Sequence, residues 1–121
     1  MANILIIDDE YQMRDILRQK LERLGHKVME AADGKVGIKL QEKTPFDLVI
    51  TDLIMPEKEG IETIKILRHN YPKLKIIAYS GGGRTAPEGF LEMASILGAD
   101  RTLEKPFDLK DIIDIIDELL D

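Results

Sequence analysis

Short, continuous runs of apolar residues alternate with helix-like segments along this chain, and that alternation limits the folds open to it. The run from Ile4 to Ile7 is followed at once by Asp8 and Asp9, a pattern typical of a strand buried on both faces of a sheet. Further strands are predicted at 27–31, 46–51, 75–79 and 101–104. Because helical segments separate these strands, the sequence predicts the α/β class, with a parallel sheet covered by helices on both faces.

Helical spacing of apolar residues predicts the helices at 10–24, 33–43 and 58–70, one starting near Pro87 and ending near Gly98, and one at 108–121. Asp33 and Asp108 are suited to cap the second and the fifth helix. Gly37 lies inside the second helix, where glycine costs about 1 kcal/mol relative to alanine.

On the fourth helix, Phe90, Met93 and Ile96 form an apolar stripe. Such a stripe is more often part of the core than a surface for a partner, so we predict that these residues face the core.

Length and charge narrow the possible functions. The 121 residues, 44% of them hydrophobic, suit one domain spanning 1–121. A net charge of −6 disfavours direct binding to nucleic acid. The chain has no cysteine, no signal-peptide pattern and no apolar stretch of membrane-spanning length, so we expect a cytoplasmic protein without membrane insertion.

Polar side chains follow the predicted strands at the edge where such sheets carry their functional crevice. Asp8 and Asp9 follow the first strand, Asp52 the third, Ser80 the fourth and Lys105 the fifth. Carboxylates that lie close together repel one another, and a hard divalent cation relieves the repulsion. Mg²⁺, which binds one or two carboxylates and keeps several waters, is the predicted cofactor.

Within this set, Asp9 and Asp52 are the predicted direct ligands, with Asp8 acting through a metal-bound water and the main-chain carbonyl of Ile54 as a further ligand. A carboxylate beside Mg²⁺ can attack phosphorus, because the metal neutralises charge on the phosphoryl oxygens. Asp52 is placed for that attack.

Two further side chains would hold the transferred group. Lys105 supplies a positive charge for one phosphoryl oxygen, and the Ser80 hydroxyl donates a hydrogen bond to another.

Over essentially its whole length the chain resembles a response-regulator receiver domain. The similarity rests on four motifs in combination, namely Asp8-Asp9, the stretch from Asp52 to Pro56 with Gly60 beyond it, Ser80, and Lys105-Pro106-Phe107. The resemblance implies a flavodoxin-like sheet of order 2-1-3-4-5, phosphorylation of Asp52, metal binding by Asp8 and Asp9, and a cis bond between Lys105 and Pro106.

The resemblance also implies how such a protein works. A sensor histidine kinase or histidine phosphotransfer protein donates the phosphoryl group, and a change in the fourth helix, fifth strand and fifth helix then regulates a downstream protein. The chain is then no enzyme in the ordinary sense, although it catalyses its own phosphorylation and dephosphorylation.

The chain departs from the family in four places. One is Ile54, apolar where relatives with fast self-dephosphorylation often have a polar residue, so we predict a long-lived phosphoryl group. Thr102 stands where receivers commonly carry an aromatic ring that reports phosphorylation. The segment from Ser80 to Gly98, with glycines at 81–83, is a few residues longer than usual and is the candidate moving part. The last helix is strongly acidic, without the basic residues that the transcription-factor subfamily uses for dimerisation. We therefore expect a stand-alone regulator without an output domain.

Other functions remain open. A small Mg²⁺-dependent phosphohydrolase with an aspartate nucleophile would use the same groups, although it usually has a second aspartate where Ile54 stands and a cap domain. A flavin carrier would need flanking aromatic rings and a phosphate loop in place of Asp8 and Asp9. An inactive receiver could serve as a binding module. His26 and His69 lie near helix ends, where an imidazole interacts favourably with the helix dipole, so we predict neither a phospho-carrier nor a metal-ligand role for them.

Overall fold

The computed structural model describes residues 1–53, 55, 59–80 and 89–121. Strands and helices alternate in the order β1 (Asn3–Ile7), α1 (Tyr11–Arg23), β2 (Lys27–Ala31), α2 (Gly34–Lys43), β3 (Leu48–Asp52), α3 (Glu59–Asn70), β4 (Lys75–Ser80), α4 (Phe90–Leu97), β5 (Arg101–Glu104) and α5 (Leu109–Leu120). None of the described helices combines the length and the apolar character needed to cross a membrane.

The five strands form one parallel sheet in the order β2-β1-β3-β4-β5, as predicted. β1 lies between β2 and β3, so the strand order reverses next to it. Ile7 pairs with Thr51 and Asp52 pairs with Tyr79, which brings the carboxyl ends of β1, β3 and β4 to the same edge. This edge carries the predicted site.

Side chains of the central strands alternate between two cores, one on each face of the sheet. Leu5, Ile7 and Val49 pack with residues of α3 and α4 on one face. Ile4, Ile6, Ile50 and Tyr79 pack with residues of α1 and α5 on the other, where the buried helix residues are Leu17, Leu21, Ile112 and Ile116. The continuous apolar runs arise because both faces of these strands are buried.

The caps and stops of the helices follow the sequence signals. The Asp33 side chain accepts a hydrogen bond from the Val36 N–H at 2.9 Å, at the start of α2. Gly25 follows the end of α1 with φ +96°, a left-handed conformation that favours glycine. In α2, a Cβ on Gly37 would overlap the Ile7 side chain, so the lower helix propensity of glycine is offset by close packing of α2 on β1.

The prediction that Phe90, Met93 and Ile96 of α4 face the core is wrong for two of the three residues. Met93 is 44% exposed and Ile96 is 83% exposed, whereas Ala94 is fully buried. Only Phe90 packs partly against the core, where it is joined by Leu91 and Leu97. The face of α4 that carries Ala94 packs against the core, and Met93 and Ile96 lie outside that face.

Arg68 fastens the end of α3 to the turn that follows α4. Its guanidinium donates to the Gly98 carbonyl at 3.0 and 2.8 Å, to the Pro72 carbonyl at 2.8 Å and to the Asp100 carboxylate at 2.8 Å. These bonds satisfy carbonyl groups at two helix ends. The C-terminal end of α4 is therefore held in place by side-chain contacts.

Candidate metal centre

Three aspartates meet at the carboxyl end of the sheet, as the sequence predicted. Asp8, Asp9 and Asp52 each offer a carboxylate oxygen, and these oxygens all lie within 4.8 Å of one another. Asp8 and Asp52 are each only 1% exposed. The pairing of β1 with β3 brings the acids together, because Asp52 is the last residue of β3 and Asp8 directly follows β1.

Both oxygens of the Asp8 carboxylate accept hydrogen bonds from the protein. The Glu10 main-chain N–H donates to Oδ1 at 2.8 Å. The hydroxyl of Tyr79, a residue that is fully buried, donates to Oδ2. Asp8 is therefore held in one orientation by two donors.

Tyr79 belongs to a strand predicted from the sequence, but it was not among the predicted site residues. Strand register supplies the missing signal, since Tyr79 pairs with Asp52 across β3 and β4 and so points to the same face of the sheet. A tyrosine in a buried strand also needs a partner for its hydroxyl. Here the partner is Asp8.

Burial and neighbouring charge shift the pKa values of this pair. Burial raises the pKa of Asp8, the hydrogen bonds from Tyr79 and Glu10 oppose that rise, and the nearby charge of Asp9 adds to it. Burial, followed by the charge of Asp8, holds the pKa of Tyr79 well above its ordinary value. Tyr79 is therefore uncharged at neutral pH, and its hydroxyl donates to Asp8.

A cationic side chain supports the main chain of the acidic turn. Arg14 of α1 donates from Nη1 to the Asp8 carbonyl oxygen at 2.6 Å. Its Nε lies 3.1 Å from the Glu30 carboxylate of β2, and Arg18 Nε lies 2.9 Å from the same side chain. The turn that carries Asp8 is thereby tied to both α1 and β2.

The chemistry of the cluster fits Mg²⁺. Several carboxylate oxygens within a few ångströms, two of the three acids being buried, make a strongly negative site for a hard cation with oxygen ligands. Asp8, whose two oxygens are already hydrogen-bonded, suits a role through a metal-bound water. The predicted carbonyl ligand on Ile54 lies outside the described residues, as do the glycines at 81–83.

Ser80 and Lys105 occupy the same edge of the sheet with different exposure. Ser80 is the last residue of β4, is 6% exposed and pairs with Glu104 of β5. Lys105 directly follows β5 and is exposed, and its bond to Pro106 is cis, which confirms the prediction. Within the described ranges, Lys105 forms no ion pair with any of the three aspartates.

The ring of Tyr79 also contacts the segment after β5. Its centroid lies 5.6 Å from that of Phe107, with an angle of 60° between the rings. Thr102, at the position where the resemblance leads one to expect an aromatic ring, is half-buried on β5 and pairs with Ala78. An aromatic contact at this site therefore comes from β4.

The histidines lie elsewhere. Nδ1 of His26 accepts a hydrogen bond from the Ala2 N–H at 3.2 Å, next to the start of β2. His69 lies in the last turn of α3. Neither belongs to the acidic cluster found among the described residues.

Known proteins with the same fold are numerous, and three illustrate the likeness. The response regulator receiver protein CpdR of Brucella abortus is 33% identical over 121 residues, which cover 99% of this chain and 98% of that protein. A CheY-like receiver domain protein of Methanospirillum hungatei has a TM-score of 0.91 and 30% identity, covering 99% of this chain and 94% of the other. The response regulator TrrA of Thermotoga maritima, solved in complex with Mg²⁺-BeF, has a TM-score of 0.85 and 27% identity over 98% of this chain and 99% of the other.

The curated relatives differ in length. The chain spans 24% of one relative and 98% of another. Residues 4–117 match the sequence model of the response regulator receiver domain. With the sheet order, the acidic cluster and these similarities in agreement, the chain belongs to the response regulator receiver family of two-component signalling.

Proposed function

We propose that this receiver is a Mg²⁺-dependent phospho-acceptor switch formed by residues 1–121, and that Asp52 accepts the phosphoryl group. The observation that carries the proposal is the cluster of Asp8, Asp9 and Asp52, with carboxylate oxygens within 4.8 Å of one another at the carboxyl end of the sheet. Asp9 and Asp52 are the proposed direct ligands, Asp8 acts through a water, and the Ile54 carbonyl completes the protein's share.

The proposed donor is a phosphohistidine on a sensor histidine kinase or a histidine phosphotransfer protein. A carboxylate oxygen of Asp52 forms a bond to phosphorus while the bond from phosphorus to the imidazole nitrogen breaks. The electron pair stays on the imidazole, which takes up a proton, and Asp52 becomes an acyl phosphate. Bound Mg²⁺ neutralises charge on the phosphoryl oxygens.

Ser80 and Lys105 are the proposed contacts of the other phosphoryl oxygens. Both lie at the same edge of the sheet as Asp52, on β4 and directly after β5. Lys105 is exposed and can swing towards a new negative charge, because a lysine side chain is long and flexible. Its approach would couple Asp52 to β5.

The proposed output is a change in α4, β5 and α5 that regulates a downstream protein. Met93 and Ile96 of α4, exposed by 44% and 83%, supply apolar surface for such a partner. Phosphorylation would bias an existing equilibrium between two arrangements of this face. The net charge of −6 favours a protein partner over nucleic acid.

Intact-mass measurement tests the proposal. The wild type and Asp52→Asn are incubated with acetyl phosphate, with and without Mg²⁺, beside Asp117→Asn, which removes the same charge from an exposed position on α5. The wild type and Asp117→Asn should each gain one phosphoryl group when Mg²⁺ is present, and Asp52→Asn should gain none.

The other outcomes point to other functions. No gain under any condition would indicate an inactive receiver used as a binding module. Rapid release of inorganic phosphate over many turnovers, without accumulation of the phosphorylated protein, would indicate a phosphohydrolase. Equal phosphorylation of Asp52→Asn would show that the nucleophile is another residue.

A further inference from the structure

We propose that Tyr79 is a positioning residue of the metal centre, whose hydroxyl fixes Asp8 in the orientation that Mg²⁺ binding needs. The inference deepens the proposed function, since it assigns Tyr79 to the same site. It begins from an unusual contact: a fully buried phenol in a central strand donates to a carboxylate of the acidic cluster.

The hydrogen bonds of Asp8 define the orientation. Tyr79 donates to Oδ2 and the Glu10 N–H donates to Oδ1 at 2.8 Å, so rotation of the carboxylate would break two bonds in a buried environment. Arg14 holds the main chain of the same residue through the Asp8 carbonyl at 2.6 Å. The position and the rotation of Asp8 are therefore both set by the protein.

Tyr79 itself has little freedom to move. It is 0% exposed and belongs to the core between the sheet and α1 and α5, among Ile6, Ile50 and Ile77. The Phe107 ring lies against it at 5.6 Å. A rigid ring can present its hydroxyl at a fixed point, which a flexible surface donor cannot do.

Fixing Asp8 matters because three acids meet here. Without the Tyr79 donor, repulsion from Asp9 and Asp52 would push the Asp8 carboxylate away from the geometry of a water-mediated ligand. Each Asp8 oxygen still has a lone pair for a metal-bound water, since a carboxylate offers about four acceptor positions. Hydrogen bonds that orient metal-binding side chains typically contribute 10–100-fold to metal affinity.

Tyr79→Phe isolates the hydroxyl, because the ring that packs on Phe107 is kept. Tyr71→Phe is the matched control, since it removes a phenol hydroxyl from the segment between α3 and β4, away from the cluster. Mg²⁺ affinity is measured by calorimetry on the full chain, without a phosphoryl donor. We expect Tyr79→Phe to weaken Mg²⁺ binding about tenfold and Tyr71→Phe to leave it unchanged. An affinity for Tyr79→Phe within twofold of the wild type would overturn the inference.

A double-mutant cycle with Asp8→Asn separates positioning from a general loss of structure. If the hydroxyl acts through Asp8, Tyr79→Phe should weaken Mg²⁺ binding much less in the Asp8→Asn background than in the wild type. A loss of the same size in both backgrounds would mean that Tyr79 only supports the fold, and the inference would fail.

Near-ultraviolet absorbance gives a second readout, which reports the surroundings of the tyrosines directly. The chain has no Trp and three Tyr, so tyrosine dominates this signal. Adding Mg²⁺ should perturb the spectra of the wild type and of Tyr71→Phe, and the perturbation should be absent from Tyr79→Phe. The same spectrum in Tyr71→Phe as in the apo protein, with Mg²⁺ bound by calorimetry, would contradict the inference.

These measurements also separate the two proposals. Mg²⁺ binding that depends on Tyr79 in a protein that takes up no phosphoryl group would overturn the proposed function and keep the inference. Phosphorylation of Asp52, together with a Mg²⁺ affinity that is unchanged by Tyr79→Phe, would support the proposed function and overturn the inference.

Discussion

Gly60 of α3 lies directly against the main chain of Asp52. A Cβ built on Gly60 would lie 2.5 Å from the Asp52 carbonyl oxygen and 2.6 Å from Leu53 Cα. Both neighbours are backbone atoms, which a side-chain rotation cannot move aside. The absence of a side chain at Gly60 therefore lets α3 pack on the end of the strand that carries the proposed phospho-acceptor.

Gly60→Ala should consequently destabilise the fold by about 1–3 kcal/mol through overpacking and slow the phosphorylation of Asp52. Gly37→Ala is the matched control, because it adds the same methyl group inside α2 but meets side-chain atoms of Ile7 rather than main-chain atoms. Thermal unfolding and the rate of mass gain with acetyl phosphate are the measurements. Equal losses in the two variants would contradict the special position of Gly60.

Mg²⁺ should stabilise the folded chain, since a ligand that binds only the native state raises the free energy of unfolding. At a Mg²⁺ concentration 100 times the dissociation constant, the gain is about 2.7 kcal/mol. Asp9→Asn should lose most of this gain, because it removes a proposed direct ligand. Asp117→Asn should keep the stabilisation by Mg²⁺. The measurement is the melting temperature of each variant with Mg²⁺ and with a chelator, and an equal Mg²⁺-dependent rise in both variants would contradict the assignment of Asp9 as a ligand.

The stability of the metal-free chain should depend on pH through Asp8. Burial raises the pKa of this carboxyl in the folded state, so folding favours its protonated form. That contribution is complete below the ordinary aspartate pKa of about 3.9 and is lost as the pH rises through the higher folded-state value. Asp8→Asn carries no charge, so its melting temperature relative to the wild type should increase from acid to neutral pH.

The pH experiment is done with a chelator present, and Asp117→Asn controls for the loss of one negative charge. A difference between Asp8→Asn and the wild type that stays constant over this pH range would contradict the assignment of the titration to Asp8.

Lys105→Ala should separate phosphorylation from its consequence. Lys105 is exposed and forms no ion pair with the three aspartates in the described part of the chain, so the metal site should form without it. We expect phosphorylation of Asp52 to continue while the change in α4, β5 and α5 is lost. Hydrogen exchange of β5 and α5 in the phosphorylated wild type and variant measures this, and Lys110→Ala, on the exposed side of α5, is the control.

Much of the fold could be predicted because the strands are buried on both faces and the helices carry clear signals at their ends. The run from Ile4 to Ile7 predicts a central strand from its own residues alone. Asp33 likewise caps α2 through a hydrogen bond to Val36, three residues away in the same segment. The acidic cluster followed from the same logic, because the carboxyl ends of parallel strands share one edge.

The role of Tyr79 in the site and the buried face of α4 were not predicted, for different physical reasons. The role of Tyr79 depends on register between strands, which periodicity within one strand does not contain. In α4, apolar residues occur on more than one face, and the face that packs against the core is the one that carries Ala94. The hydrophobicity of single residues in α4 therefore does not identify the buried face.

The pairing of Ile7 with Thr51 and of Asp52 with Tyr79 has a consequence for how this chain can vary in length. Successive strand residues point to opposite faces, so inserting or deleting one residue within β3 or β4 would send Asp52 or Tyr79 to the wrong side of the sheet. Length changes in the turns between helices and strands leave that parity intact. The protein can therefore tolerate insertions at the amino-terminal edge of its sheet, while the interiors of β3 and β4 must keep their residue count.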